Sequence, residues 1–178
     1  MKYLIVGLGN IGEEYDGTRH NIGFSVLDHL AAKENLKFAH DRHAFVSEYK
    51  FKGRTFVLVK PTTFMNLSGK AVQYWMQAEK IPIENILVIT DDIALPFGTI
   101  RIKQKGGVGG HNGLTNIEET LQSGEYTRLR FGVGNEFPKG RQVEYVLGKW
   151  SDEQQKALPE RLDKCVEAIK AFGTIGVG

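Results

Sequence analysis

A histidine near the start of the chain stands among the side chains best suited to chemistry. It follows an apolar run at 3–6, short enough for a buried strand, and a glycine-containing turn at 7–12. The polar or ring-bearing side chains after that turn are Tyr15, Thr18, Arg19, His20 and Asn21. Because open α/β folds bind ligands just beyond the carboxyl ends of strands, His20 is a candidate general base. Its alternative role is to cap the helix that follows.

Other polar residues also follow predicted strands or glycine turns. They are Asn10, Asn66, Asp91 and Asn112. If the middle of the sheet is parallel, such positions converge on one edge. A histidine, a carboxylate and several amides suit hydrolysis, since they can deprotonate water, fix the imidazole tautomer and stabilise an oxyanion. The chain has no Gly-x-Ser-x-Gly nucleophile motif, which favours water as the nucleophile.

The first turn also matches a dinucleotide-binding fingerprint, with Gly7, Gly9 and Gly12 at the required spacing. That fingerprint needs a helix directly after the third glycine. Here an acidic segment at 13–17 intervenes, and the predicted helix begins about ten residues later. We therefore expect the glycines to aim Asn10 into a cleft rather than to bind a nicotinamide cofactor.

Basic residues alternate with apolar ones on two predicted strands that flank the most glycine-dense segment of the chain. Arg101, Lys103 and Lys105 form one row, and Arg128 and Arg130 form the other. Such rows are typical of a solvated sheet edge or of a clamp for nucleic-acid phosphates.

The remaining composition sets the class of protein. The 178 residues carry a net charge of +2, which permits a nucleic-acid partner without indicating one. We expect one domain spanning 1–178. Cys165 is the only cysteine, so an internal disulfide is excluded. The start of the chain has no signal pattern and no apolar run of membrane-spanning length, which predicts a cytoplasmic protein.

The elements that would position these residues alternate between strand and helix, as in an α/β layer architecture. The predicted helices are 22–34, one that Ser68 would cap, 115–122 and a final one striped by Leu158, Leu162, Cys165, Val166, Ile169 and Phe172. The predicted strands are 3–6, a hairpin of 46–51 with 55–60, 86–89, 99–103 and 128–133.

Five segments resemble bacterial peptidyl-tRNA hydrolase in order and spacing. They are GLGNIGEEYDGTRHNIG, KPTTFMNLSGKAV, ITDDIALPFGTIRIK, GGVGGHNGL and RLRFGVG. The resemblance reaches from Met1 to about Trp150, and the final helix matches more loosely. The combination of TRHN, PTTFMNLSG and GGHNGL is specific to that family.

The resemblance implies a three-layer α/β/α domain around a twisted, mixed and mostly parallel sheet. It implies hydrolysis of the ester between a peptide, or an N-blocked amino acid, and the 3′ end of tRNA, which recycles tRNA from prematurely released peptidyl-tRNA. By resemblance, His20 is the catalytic base, Asp91 supports it and Asn10 distinguishes blocked from free aminoacyl groups. The positions that match substrate contacts are Tyr15, Phe64, Asn66 and Asn112, with Lys103 and Arg130 on a tRNA phosphate. The backbone at 109–111 and the side chain of Asn112 would wall the site.

Three positions depart from the family pattern. Ile11 stands where proline is usual, Thr115 where lysine is common, and Asn135 with Glu136 where an arginine or histidine precedes a proline. None removes a catalytic group, but the last two positions lack the basic residues with which the family pattern would contact tRNA.

We predict no cofactor, no metal and no obligate protein partner, and the family is usually monomeric. His40 and His43 lack a third ligand at a diagnostic spacing. Two alternatives stay open: a catalytically inactive RNA-binding relative with the same fold, and a nucleotide-cofactor oxidoreductase based on the glycine fingerprint.

Overall fold

One mixed sheet forms the centre of the structure, a computed structural model that describes residues 1–105, 108 and 111–175. Its strands are β1 (Lys2–Gly7), β2 (Ala39–Asp41), β3 (Ala44–Phe51), β4 (Arg54–Pro61), β5 (Ile86–Asp92), β6 (Ile100–Lys103) and β7 (Thr127–Gly132). Across the described residues the strand order is β2-β3-β4-β1-β5-β7-β6. Neighbours among β4, β1, β5 and β7 pair in parallel, whereas β2 with β3, β3 with β4, and β6 with β7 pair antiparallel.

The two middle strands, β1 and β5, are the most deeply buried part of the sheet. Leu4, Ile5, Val6 and the apolar run at 86–89 are fully buried. Parallel strands covered on both faces read as continuous apolar runs, which is how both segments read in the sequence. The carboxyl ends of four neighbouring parallel strands therefore meet along one edge, as the sequence predicted.

Helices cover both faces of the sheet. They are α1 (Ile22–Glu34), α2 (Ser68–Ala78), α3 (Asn112–Leu121), α4 (Gln142–Val146) and α5 (Asp152–Thr174). The core with α1 and α5 includes Ile5 and Ile89, and the core with α2 and α3 includes Val6 and Val88. The predicted α/β/α layers around a mixed sheet are confirmed. None of the helices within the described ranges is long and apolar enough to cross a membrane.

The connection from β1 to α1 contains two short 3₁₀ turns, Glu13–Tyr15 and Arg19–Asn21. Two further 3₁₀ turns lie at Met65–Leu67 and Ile83–Asn85. The helix α1 begins at Ile22, as predicted, well after Gly12. A pyrophosphate bound at the first turn would lack the helix amino terminus that the dinucleotide fingerprint supplies. The structure thus disfavours the nicotinamide-cofactor alternative.

The predicted cap of α2 is wrong. Ser68 is the first helical residue, and its Oγ donates a hydrogen bond to the Met65 carbonyl at 2.7 Å. The Gly69 N–H instead donates to Asn116 Oδ1 at 2.7 Å, so a side chain of α3 satisfies the start of α2. This bond ties the two helices that cover one face of the sheet.

The single thiol provides a test of the core. Cys165 lies on α5 with no exposed surface, and burial raises the pKa of its thiol to about 12. Because the thiolate is the reactive form, we expect Cys165 to resist alkylation at pH 8 in the folded protein and to react once guanidinium unfolds the chain. Mass spectrometry of the labelled protein measures both, with a cysteine-containing peptide as the reagent control. Complete labelling without denaturant would contradict the buried placement.

Candidate active site

A cleft of about 420 Å³ opens at the carboxyl edge of the parallel strands. The predicted site residues that line it are Asn10, Tyr15, His20, Phe64, Asn66, Asp91, Asn112 and Arg130. Lys103 is not among the lining residues of the described chain. The predicted backbone wall at 109–110 lies outside the described residues, as do Gly106 and Gly107.

Two of the predicted site residues, His20 and Asp91, form a hydrogen-bonded pair in the cleft. His20 belongs to the second 3₁₀ turn before α1, and Asp91 lies near the end of β5. His20 Nδ1 is 2.9 Å from each Asp91 carboxylate oxygen. With Asp91 ionised, Nδ1 carries the proton and donates it to the carboxylate. In the neutral ring, Nε2 is then the nitrogen with a lone pair available to the cleft.

A second histidine, which the sequence analysis treated only as part of a wall, shares the same carboxylate. His111 Nε2 is 2.8 Å from Asp91 Oδ1. Its Nδ1 accepts the backbone N–H groups of Gly113 and Leu114, at 3.1 and 3.3 Å, and so caps α3. Because Nδ1 is an acceptor there, Nε2 must carry the proton and donate it to Asp91. The only signal in the sequence was its position before the helix.

The two imidazoles determine the protonation of Asp91. Burial alone would raise the pKa of the Asp91 carboxyl, but the electrostatic interaction and hydrogen bond with the His111 imidazole, followed by those with His20, hold that pKa well below its usual value. Asp91 therefore stays ionised across the neutral range. An ionised carboxylate only accepts hydrogen bonds, which is the state that both histidine N–H groups need.

The amide of Asn10 is held from two sides. Its backbone N–H donates to Asn21 Oδ1 and its carbonyl accepts from Asn21 Nδ2, both at 2.8 Å. Its side-chain Oδ1 accepts the Met65 N–H at 2.7 Å. With Oδ1 engaged in this way, the amide offers its Nδ2–H donors to the cleft. Asn10 is therefore arranged to bind a carbonyl oxygen.

The backbone at Phe64 is strained. Its φ of 59° and ψ of 158° lie in a region occupied almost only by glycine. The residue is 48% exposed and lines the cleft. The adjacent Met65 N–H is the donor to Asn10, and the Leu67 N–H closes the turn onto the Phe64 carbonyl at 3.1 Å. Such conformations cost on the order of 1–3 kcal/mol and persist where the surroundings impose them. The strain places an aromatic ring at the mouth of the cleft.

The predicted basic rows separate into two environments. In the β6–β7 ladder, Arg101 is opposite Arg130 and Lys103 is opposite Arg128, so all four side chains start from one face of the sheet. Arg101 and Lys103 are exposed, and Arg130 lines the cleft with its Nη1 3.5 Å from an Asp92 carboxylate oxygen. These cations border the cleft on one side.

Arg128 fits neither role expected for its basic row, the solvated sheet edge or the phosphate clamp. Its side chain is fully buried, donates to the carbonyls of Gly124 and Tyr126, and forms an ion pair with Glu118 of α3 at 3.3 Å. Packing of α3 over this part of β7 makes Arg128 a structural cation. Arg128 is therefore not a residue that contacts a ligand from the cleft.

The three groups His20, Asp91 and His111 are also the residues that come nearest to a metal site. Their ligand atoms all lie within 4.8 Å of one another. Both imidazole nitrogens that face Asp91 carry protons in the hydrogen-bond arrangement above, so a metal would have to displace those protons. The arrangement therefore suits proton transfer, and the absence of a metal stays a prediction.

Comparisons with known proteins agree on one family. A family model described as "Peptidyl-tRNA hydrolase" matches residues 4–177. Proteins named peptidyl-tRNA hydrolase from Cytophaga hutchinsonii and Bacteroides fragilis are 64% and 57% identical over 99% of this chain, covering 94% and 95% of their own lengths. A crystal structure of peptidyl-tRNA hydrolase from Acinetobacter baumannii has a TM-score of 0.88 at 36% identity, covering 95% of this chain and 87% of that one.

The dual role of His111 can be separated by two substitutions. His111→Ala removes both the cap of α3 and the bond to Asp91, whereas His111→Asn loses the bond but supplies a good capping side chain. We expect His111→Asn to be about 1 kcal/mol more stable than His111→Ala, the usual value of such a cap. Urea unfolding of the two variants measures this difference, and equal stabilities would contradict the capping role.

Proposed function

Because this chain belongs to the peptidyl-tRNA hydrolase family, we propose that it hydrolyses peptidyl-tRNA with His20 and Asp91 as its central groups. The bond we assign is the ester between a peptide, or an N-blocked amino acid, and the 3′-terminal ribose of tRNA. Cleavage would recycle tRNA from peptidyl-tRNA released before translation ends. The observation that supports this assignment most directly is the His20–Asp91 contact inside the cleft.

His20 acts as the general base. Its Nδ1–H is held by the ionised Asp91, so Nε2 accepts a proton from a water molecule as that water attacks the ester carbonyl. Asp91 stabilises the imidazolium that results. His111 donates to the same carboxylate from the start of α3 and keeps it oriented toward His20. The proton on His20 then passes to the ribose oxygen that leaves.

Amide groups complete the reaction centre. Asn10 presents its Nδ2–H donors, which suits the ester carbonyl or a carbonyl of the peptide. Asn66 and Asn112 line the same cleft and offer further donors and acceptors for the water or the peptide backbone. Through its contact with the acyl group, Asn10 would distinguish N-blocked from free aminoacyl esters.

The substrate has both ring-stacking and phosphate-binding partners around the cleft. Tyr15 and Phe64 offer ring faces to the terminal base or the peptide. Lys103 and Arg130, on neighbouring strands, would hold a phosphate of the tRNA backbone. The tRNA acceptor end would thus cross the β6–β7 side of the cleft.

The proposal needs no cofactor and no metal, since side chains supply every proton transfer. We also propose that the protein acts in the cytoplasm, where ribosomes produce the substrate. It would act there as a monomer without an obligate protein partner. The runner-up function, RNA binding without catalysis, is disfavoured because the base, its carboxylate and the amides occupy one cleft. A hydrolysis assay distinguishes the two.

Removing the base provides the main test. A general base contributes roughly a hundredfold to ten-thousandfold in rate, so His20→Ala should lower kcat by about that factor. Asp91→Asn should reduce the rate less if Asp91 only orients and stabilises the imidazole. The measurement is release of deacylated tRNA from an N-blocked aminoacyl-tRNA, with an unblocked one for comparison. His40→Ala, which removes an exposed histidine of β2, is the matched control, and wild-type rates in His20→Ala would refute the assignment.

The phosphate clamp makes a separate prediction. Lys103→Gln should weaken tRNA binding and reduce the slope of log K against log salt by about 0.7–0.9, the value of one phosphate contact. Hydrolysis of a minimal N-blocked aminoacyl ester without the tRNA body should stay the same. Lys52→Gln, at the far hairpin of the sheet, is the control for an exposed lysine. If Lys103→Gln slowed both substrates equally, the residue would serve the chemistry or the fold instead.

A further inference from the structure

Arg19 directly precedes the general base and has no part in the mechanism above. It lies on the same 3₁₀ turn as His20. Among the described residues, however, its side chain is not part of the cleft lining. Its contacts lead instead to α4 and to the segment that joins α4 to α5.

The guanidinium of Arg19 is held by α4 and by the first turn of α5. Nη1 donates to the Tyr145 carbonyl at 3.0 Å, and Nη2 lies 3.4 Å from Gln154 Oε1. The guanidinium carbon stands 4.1 Å from the centre of the Tyr145 ring and 5.8 Å from that of Trp150. Both hydrogen-bond acceptors are neutral, so directed N–H groups and stacking on rings hold this cation. Lysine, with a compact ammonium, has neither the planar fork that spans both acceptors nor a flat group that stacks on the rings.

The backbone around Arg19 reaches the same segment. The Arg19 N–H donates to the Gly148 carbonyl at 3.0 Å, and Thr18 forms an antiparallel bridge with Lys149. A Cβ atom at Gly148 would lie 2.9 Å from Arg19 Nη1. The glycine therefore leaves the room that the guanidinium occupies.

The segment held in this way forms one wall of the cleft. Gln142, Val143, Val146 and Leu147 all line it. The helix α4 has only five residues, and a helix of that length depends on tertiary contacts because nucleation is unfavourable. Apart from Arg19, a bond from the Tyr145 hydroxyl to the Val133 carbonyl ties α4 to the end of β7.

We propose that Arg19 is a positioning residue that fixes α4 as the substrate-binding wall of the cleft, with Tyr145 as its main partner. The inference rests on the proposed function, since the wall matters only if the cleft binds the peptidyl-tRNA ester. His20 itself keeps independent support from Asp91 and from the Asn21 N–H bond to the Thr18 carbonyl at 3.1 Å. Loss of the Arg19 side chain should therefore disturb binding and leave the proton transfer intact.

The test is the change in KM and kcat of Arg19→Lys on an N-blocked aminoacyl-tRNA. Loss of the hydrogen bonds that the charged guanidinium donates to Tyr145 and Gln154 should raise KM roughly tenfold. The kcat of the variant should stay within about twofold of the wild-type value. The variant Arg54→Lys is a matched control, because Arg54 Nη1 also donates a hydrogen bond to a backbone carbonyl, that of Lys52, at 2.8 Å. Arg54 begins β4 and so lies at the end of the sheet away from the cleft. This variant should leave KM and kcat unchanged.

A second measurement reports on the wall without relying on activity. Trypsin should cleave after Lys149 faster in Arg19→Lys than in the wild-type protein or in Arg54→Lys, because the bridge to Thr18 is loosened.

Addition of guanidinium ion at low millimolar concentration to Arg19→Ala should lower its raised KM, and urea at the same concentration should not.

The outcomes separate the two proposals. If the wild-type protein releases no tRNA, the proposed function fails, and proteolysis alone still decides whether Arg19 fixes the wall. If the wild-type protein is active and folded Arg19→Lys keeps the wild-type KM, the positioning role is wrong. A fall in kcat at constant KM would also overturn it, because the effect would then act on His20.

Discussion

The ionised carboxylate of Asp91 is the interaction on which the rest of the site depends. It lies near the end of β5 among buried residues, where an unpaired charge would be costly, and two imidazoles from separate segments compensate it. One of those segments is the turn before α1, and the other is the start of α3. The carboxylate thus joins three elements at the rim of the sheet and sets the tautomer of both histidines. An aliphatic side chain at this position would accept a hydrogen bond from neither ring.

The parallel centre of the sheet explains why such distant residues meet. Asn10 follows β1, the Phe64 turn follows β4, Asp91 lies near the end of β5 and Arg130 is part of β7. All four strands point the same way, so their carboxyl ends deliver these groups to one cleft. The antiparallel strand β6 adds Lys103 next to β7 but outside the cleft. The four parallel strands therefore place their polar groups in the cleft, whereas the antiparallel strand β6 places Lys103 beside the cleft.

Much of this arrangement could be predicted from the sequence, because long apolar runs and helical spacing are strong signals. The bounds of α1 and the buried strands β1 and β5 follow from such patterns. The pairing of His111 with Asp91 could not be predicted, since it depends on a side chain that caps a helix with one nitrogen and reaches a strand with the other.

The two arginines of β7 show the same limit. Arg128 and Arg130 are two residues apart and share a face of the sheet. The two-residue period of a strand therefore cannot show which of the two side chains is buried. Contacts from Glu118 of α3 and from the segment after α3 bury the first, whereas the second lines the cleft. Likewise, α4 is too short to produce a periodic signal, and it is held by contacts from a residue more than a hundred positions away, since Arg19 donates to Tyr145.

The conformation of Phe64 sets two evolutionary pressures against each other. Selection for heat resistance alone would favour glycine at this position, because a residue without a β-carbon adopts this backbone conformation without strain. Selection for catalytic activity would favour the aromatic ring, because this backbone conformation places the ring where it can contact the substrate. A library randomised at codon 64 would therefore drift toward glycine under thermal selection and back toward aromatic residues when survival requires tRNA recycling.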